Sequence, residues 1–412
     1  LYVRGAAREH FGLIAAAILL ALAATAVRQF GLILLLGFAA AQIARNGHGI
    51  RSLASAVLPF AFGIALQLGY DHWLIAAHVT PKIPEPLHQL FPFAFNVLAS
   101  DLTQIIWIFM PYLGLFIAPF IGTLAPRRGA LLCNAPVFWM SVALLFLVAV
   151  ERSFTIGAVL PVLGNVLLIS GLGPLTLRDT FLLNLNQPPV PVYVVWMWVL
   201  GTVPCLAAAS YLVIATWREI RQTAGRPLPW QFILMVTVAG AYVAAVLLIS
   251  HPGPFFDRYF LPLVPPLIAI LVLLQRNPSQ LSARQLSPCL LLLCLYAAFT
   301  IPAAHDYLAW NRARWQATSR LQQAGITPRQ IDGGYEFNGW YLHDANYRKT
   351  PDKSYWWVAD DTYVIASGPL PGYRQIGSVS FSRWLPPERS DIIILRRLTP
   401  HPPAQSPHPP AP

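Results

Sequence analysis

Apolar residues in this chain are gathered into nine long runs, at roughly 11–27, 29–44, 52–70, 95–120, 131–149, 190–214, 230–249, 259–275 and 288–304. At 1.5 Å per residue, most of these runs as helices reach across a hydrocarbon core of about 30 Å. The gaps between them differ in charge. Arg4, Arg8, Arg45, Arg51, Arg127, Arg128, Arg218, Arg221, Arg226, Arg276 and Arg284 all fall on one side of the alternation, and only Arg28, Lys82, Arg152, Arg178 and Arg258 on the other. Lys and Arg collect on the cytoplasmic side, so the pattern predicts a cytoplasmic N-terminus and an outer location for everything after the ninth run.

The first two runs are separated only by Val27–Gln29, which predicts a helical hairpin. A first outer loop, about 71–94, carries Asp71, His72, His78, Lys82, Glu85 and His88, and its four prolines argue against one long helix. The fourth run contains Pro111 and Pro119, a signal for a kink or an interfacial lead-in. A second large outer loop, about 150–189, holds a half-length apolar piece, Gly157–Leu172, broken by Gly and Pro. It reads as a re-entrant or interfacial segment. The prolines Pro262, Pro265 and Pro266 fit the first turn of the eighth helix, where missing donors cost little.

Past residue 304 the periodicity changes. Asp306–Ala324 has Tyr307, Trp310, Arg314, Trp315 and Leu321 at helical spacing, closed by Gly325. Tyr363–Ala366, Tyr373–Trp384 and Asp391–Leu398 are β-branched and aromatic segments bounded by Gly and Pro, and read as strands. The fold class expected is therefore a polytopic α-helical membrane protein of about nine transmembrane helices with a C-terminal extracytoplasmic α+β domain. Its divisions are a helical bundle over 1–304, the α+β domain over 305–399, and a Pro-rich disordered tail over 400–412.

Composition changes this picture little. The chain is 56% hydrophobic and 11% charged, against about 25% charge in a soluble domain. Its net charge of +11 follows the membrane topology rather than forming a basic face, which excludes a nucleic-acid partner. The four cysteines, Cys133, Cys205, Cys289 and Cys294, all fall in predicted spans, so no disulfide framework is implied for the outer domain. Position 1 is Leu where a reading frame normally opens on Met, so a missing N-terminal part is expected.

The candidate chemistry sits at the outer ends of the runs. Asp101 is either an intramembrane carboxylate facing protein or water, or an interfacial residue just outside the hydrocarbon. His72, His78, Glu85 and His88 have a metal site's inventory, but their spacing matches no standard ligand pattern. Asp257-Arg258-Tyr259 is the sharpest signal. Arg258 can fork two donors onto a phosphate with its stem along apolar surface, and Tyr259 is an interfacial aromatic with a polar tip. The plain alternative is a snorkelling Arg beside a belt Tyr. Arg178-Asp179 is a weaker version, equally readable as a loop ion pair. Asp360-Asp361 precedes a strand, where Asp starts turns. No Walker loop, dinucleotide Gly pattern, Gly-x-Ser-x-Gly or His-Glu-x-x-His occurs.

Several stretches together resemble bacterial polyprenyl-phosphate-dependent glycosyltransferases of the GT-C fold. These are the family 39 enzymes, near the protein O-mannosyltransferases and the lipid A aminoarabinose transferases. The stretches are Arg28-Gln29-Phe30-Gly31, Gly171-Leu172-Gly173-Pro174-Leu175-Thr176-Leu177-Arg178-Asp179, Asp257-Arg258-Tyr259-Phe260-Leu261-Pro262-Leu263-Val264-Pro265, and the ending Ser390–Arg397. The resemblance implies transfer of a hexose or pentose from a polyprenyl-phosphate donor to an extracytoplasmic lipid, glycan or protein, in the inner membrane. It implies Arg258 and Tyr259 as lipid-phosphate ligands and Asp257, Arg178, Asp179 and Asp101 as lining. A divalent cation is the one cofactor it leaves open. Members carry their catalytic Asp in the first outer loop; the residues before 28 offer no match, so that base is expected upstream of Leu1 and this polypeptide is expected to be inactive alone.

Rival classes are a lipid or polysaccharide transporter or flippase, a polyprenyl-linked glycan polymerase or ligase, and a non-catalytic envelope assembly protein. A transporter predicts internal symmetry and mid-span charge, and neither is visible beyond Asp101. A polymerase predicts a key loop late in the chain rather than a β-containing domain.

Overall fold

The computed structural model describes residues 1–28, 30–77, 102–121, 135–156, 167–168, 171–172, 192–222, 227–249, 257–274, 283–344, 347, 357–358, 360–384 and 387–398. Within these residues every one of the apolar runs is helical. A short α1 (Tyr2–Ala7) leads into α2 (Phe11–Val27), α3 (Gly31–Asn46) and α4 (Ile50–Ala76). Then follow α5 (Leu102–Ile121), α6 (Pro136–Ile156), α7 (Val192–Gln222), α8 (Trp230–Ile249), a 3-10 segment Asp257–Leu263 that runs into α9 (Val264–Leu274), and α10 (Ala283–Gln323). Three helices are long and apolar enough to cross a membrane: Ile50–Ala76, Val199–Gln222 and Leu286–Gln323. Shorter apolar helical stretches of 10–17 residues among the described residues are Phe11–Val27, Gly31–Asn46, Phe109–Ile121, Pro136–Val148, Trp230–Val246 and Tyr259–Leu274.

Two boundaries differ from expectation. The outer loop expected from residue 71 begins later, because α4 continues through Asp71, His72 and Trp73 to Ala76. No Pro or Gly interrupts it there, and the Gln67 amide donates to Asp71 Oδ1 at 2.9 Å one turn away. The ninth run and the helix expected over Asp306–Ala324 are one element, α10, of 41 residues. Pro302 removes one backbone donor without breaking the helix, which runs on through Ala303 and Ala304. The prolines Pro111 and Pro119 likewise lie inside a continuous α5, and Pro265 and Pro266 fall in the first turn of α9 as expected.

The chain divides into two compact units, Leu1–Asn165 with Val192–Leu293, and Val166–Pro191 with Cys294–Pro412. In the first, α3 packs between α4 and α8, and α5 and α6 both pack on α7. The closest approach is at Gly114 of α5. A Cβ there would lie 1.7 Å from the Cys205 carbonyl oxygen of α7, so only a bare Cα lets the two backbones meet. Around it Tyr112, Ile117, Leu206 and Ala209 are fully buried.

In the second unit, Leu167–Leu168 (β1) and Gly171–Leu172 (β2) form a small antiparallel pair within the segment expected to be re-entrant. A mixed sheet follows, with strands β3 (Ile331–Asp332), β4 (Tyr363–Ala366), β5 (Tyr373–Trp384) and β6 (Pro387–Arg397) in the order β3-β4-β6-β5. Only the β3–β4 pair is parallel. The sequence placed the last three of these strands; it missed β3 and the helix α11 (Tyr335–Tyr341).

Helix α10 lies on one face of the sheet through Ala309, Ala313, Ala317 and Leu321, a stripe of four-residue spacing that packs with Ile365, Val379, Phe381, Ile392 and Ile394. The small side chains bring helix and sheet close. Alternate residues Ile393 and Leu395 point to the other face, with Val364, Ala366 and Leu370. The helix ends in a Schellman motif: the Ile326 amide donates to the Leu321 carbonyl, the Gly325 amide to that of Gln322, and Gly325 takes φ +82°.

Candidate functional site

One end of the helical unit collects two of the segments singled out in the sequence. The turn after α2 carries Arg28 in an extended conformation, its amide still bonded to the Ala24 carbonyl at 2.8 Å, and Phe30 caps α3. The second segment is the 3-10 turn Asp257–Leu263 that feeds α9. Tyr242, about two turns before the end of α8, joins them. Its hydroxyl donates to the Tyr259 carbonyl at 2.8 Å, and its ring lies 4.8 Å from that of Phe30.

The 3-10 turn is anchored from below. Phe260 and Leu263 are buried, and the Phe260 ring stacks on Tyr112 at 5.1 Å and meets Phe109 edge-on at 4.7 Å. Such aromatic pairs add about 0.5–1.5 kcal/mol each beyond their buried area. Residues 257–259 are thus held at the rim by a firmly packed neighbour. Tyr259 is half-buried. The side chains of Asp257 and Arg258 lie outside the described ones, although their backbone is described. Asp101, Arg178 and Asp179 lie outside the described residues, as do His78, Glu85 and His88. Among the described residues no three His, Cys, Asp or Glu side chains gather in a way that could hold a metal ion.

Tyr242 is the residue the sequence reading missed. Its signal was a polar-tipped aromatic in the second half of an otherwise mostly aliphatic run. Tyr242→Phe is expected to cost about 1 kcal/mol by leaving the Tyr259 carbonyl without that donor. Amide exchange at Phe260–Leu263 should then rise about fivefold in the purified protein; unchanged exchange would mean that the hydroxyl does not hold the turn.

The buried carboxylates of the second unit are engaged by neighbouring side chains and backbone. Asp360 Oδ1 accepts from the Thr362 amide at 2.9 Å and from its hydroxyl at 2.6 Å, the turn expected of it. Asp361 instead is buried, paired with Arg397 and accepting from the Tyr373 hydroxyl at 2.9 Å. Burial, and then the Asp361 charge, push the Tyr373 phenol far above its ordinary range. Burial pulls the Arg397 guanidinium down, but Asp361 and Tyr373 outweigh it, leaving the group above its ordinary value. Asp332 accepts from the Asn338 side chain at 2.7 Å and the Gly334 amide at 3.2 Å, and Arg314 holds the Gly333 carbonyl and Glu336. Carboxylates so fully engaged position backbone; they are poorly suited to taking a proton from a substrate.

The chain matches no protein-family model, no curated protein and no solved structure. What the fold itself defines is a mostly helical protein whose apolar helices are compatible with membrane insertion, joined to a small C-terminal sheet unit.

Proposed function

We propose that this chain is the membrane module of a polyprenyl-phosphate-dependent glycosyltransferase of the GT-C type, and that the rim around Tyr242 receives the anionic phosphate of the lipid donor. The observation that carries the reading is the meeting of two distant segments, Arg28–Phe30 and Asp257–Leu263, on one tyrosine. Both were singled out by resemblance to that family, and each brings an arginine to the same end of the bundle. A lipid-borne sugar can be reached only at the membrane surface, and such a donor leaves behind a phosphate whose charge a nearby guanidinium stabilises. No nucleotide has to be held. In this proposal the nine apolar helices cross a bacterial inner membrane with the N-terminus in the cytoplasm. The Tyr242 rim and the C-terminal unit are then outside, where the acceptor is met.

The test is binding rather than turnover. The purified chain in lipid nanodiscs is exposed to a photoreactive polyprenyl phosphate, with an uncharged polyprenol as the control. Arg28→Ala and Arg258→Ala should each reduce specific labelling about tenfold or more, the worth of a charge-assisted hydrogen bond. Equal labelling of both variants and the parent, or equal capture of the polyprenol, overturns the phosphate site. A cysteine placed at 258 that reacts only from the cytoplasmic side would overturn the orientation.

A further inference from the structure

Helix α10 is one rod of 41 residues, about 61 Å at 1.5 Å per residue. Its first half is the apolar run ending at Ala304, which needs about 30 Å to cross a hydrocarbon core. The second half therefore stands out of the membrane as a ruler for everything packed on it. Two hydrogen bonds set the β5 strand against that ruler. The Trp384 amide donates to Asp306 at 2.8 Å, and the Arg320 guanidinium donates to the Ser378 carbonyl at 2.9 Å. Fourteen residues of helix and six of strand separate these two ties. Those are about 21 Å and about 20 Å, so strand and helix run side by side with the Trp384 end nearest the apolar run.

Trp384 thus lies at the level of Asp306, about 3 Å along the axis from Ala304. Its ring stacks on His305 at 3.9 Å and yet remains 51% exposed. Within about 8 Å of that level along the axis lie exposed Leu308 and Ile301 on α10 and exposed Arg389 across from Ser382 on the same hairpin. Aliphatic side chains toward the apolar run, a half-exposed Trp at its end and a basic residue just beyond form the composition that settles at a membrane–water interface. The most exposed tryptophan among the described residues, Trp340 on α11, at 79%, is far from this level, as are the exposed Tyr335 and Tyr341 of the same helix. That helix is tied to α10 at Arg314 and Trp315, about 15 Å from Ala304 and so about 12 Å beyond the Trp384 level.

We propose that the β5–β6 hairpin end, with Trp384 at its edge, seats in the headgroup layer of the same membrane that α10 crosses. The buried Asp306 carboxylate and the His305 ring clamp it at that depth. The second unit is then held upright on the bilayer surface by two contacts, the helix and this hairpin, rather than by the helix alone. The partner is the lipid interface, and the proposal rests on α10 crossing a membrane, whether or not the Tyr242 rim binds a lipid phosphate.

The experiment places a nitroxide label on single cysteines at Trp384→Cys, Leu308→Cys and Trp340→Cys, in full chain whose native cysteines are replaced by Ala. The protein is reconstituted in phosphatidylethanolamine/phosphatidylglycerol vesicles. Power saturation with oxygen and with a water-soluble nickel chelate should give interfacial depths for labels at 384 and 308, and full aqueous exposure at 340. Loss of the Trp384 anchor in the first variant is checked by a label at Arg389→Cys, exposed on β6 opposite Ser382. That variant leaves Trp384 and its stack on His305 intact and should also read as interfacial. An aqueous label there with Trp384 present overturns docking. If the 308 label is interfacial while the 384 label is as aqueous as that at 340, the hairpin does not dock. If 308 is aqueous too, α10 does not leave the membrane at Ala304 and the ruler fails.

Discussion

Asp361→Ala is expected to cost the C-terminal unit about 3 kcal/mol of stability, the low end of the range for removing one partner of a buried ion pair. The low end is appropriate because the Arg397 side chain keeps 23% of its exposure, while that of Asp361 keeps only 3%. Without the carboxylate, the guanidinium and the Tyr373 hydroxyl lose their shared acceptor between β4 and the ends of β5 and β6. The penalty is mainly that of leaving a partly buried charge unmatched, not the net worth of the pair. A second variant separates the two. Asp361→Leu combined with Arg397→Met and Tyr373→Phe removes every polar member together and should recover most of the loss. Hydrogen exchange at Ile392–Leu395 in the intact protein is the readout: about a hundredfold faster in the single variant, near the parent rate in the triple. A single variant that exchanges like the parent would show that the strands do not depend on this ion pair.

That same Asp illustrates what the sequence conveys and what it withholds. Asp360 could be read as a turn former because its partner, Thr362, is two residues away. Asp361 could not, because its partners, Tyr373 and Arg397, are brought close only by the sheet. The apolar runs were legible as helices because a long hydrophobic segment satisfies its backbone within itself and needs no tertiary information. β4, β5 and β6 were legible from β-branched residues between Gly and Pro. β3 and α11 were not: two residues of strand and seven of helix have little stability of their own, and here Asp332, Asn338 and Arg314 hold them. The helix after residue 304 was foreseen by its large side chains, yet its buried stripe is Ala309, Ala313 and Ala317. Periodicity of bulk found the helix, and Arg314 and Leu321 from that reading are buried beside the alanines it did not single out.

The candidate site was half legible. Arg28, Phe30 and Asp257–Tyr259 were marked as separate segments, and their meeting on Tyr242 needed the fold. Nothing in the local sequence of α8 ties position 242 to 259, because that contact depends on how α8 packs against α3 and α9. Asp101, Arg178 and Asp179 keep the standing the sequence gives them.

Packing in the helical unit makes the sharpest demand at Gly114, and Gly114→Ala is expected to open the α5–α7 contact. The added methyl would meet backbone, the Cys205 carbonyl oxygen at 1.7 Å and its carbon at 2.4 Å, where carbon contacts normally lie near about 3.5–4.0 Å. A side chain could rotate away; a carbonyl inside a helix cannot, so the helices themselves have to separate. Gly114 and Ala118 of α5, and Cys205 and Ala209 of α7, are small residues at four-residue spacing, the kind of pattern that lets helix backbones approach in lipid. Separation would expose the buried Tyr112, Leu206 and Ala209 and loosen the support under Phe260, since the Tyr112 ring is its stacking partner. The cost should reach the upper part of the about 1–3 kcal/mol typical of overpacking. Cys205 reports on it directly: it is buried in the parent, with the exposed Cys294 as an internal standard. A membrane-permeant maleimide should label Cys205 at least tenfold faster relative to Cys294 in Gly114→Ala, and faster again in Gly114→Leu. Labelling ratios equal to the parent in both variants would mean that α5 and α7 do not meet at Gly114. The anchoring of the 3-10 turn through Tyr112 would then lose its foundation as well.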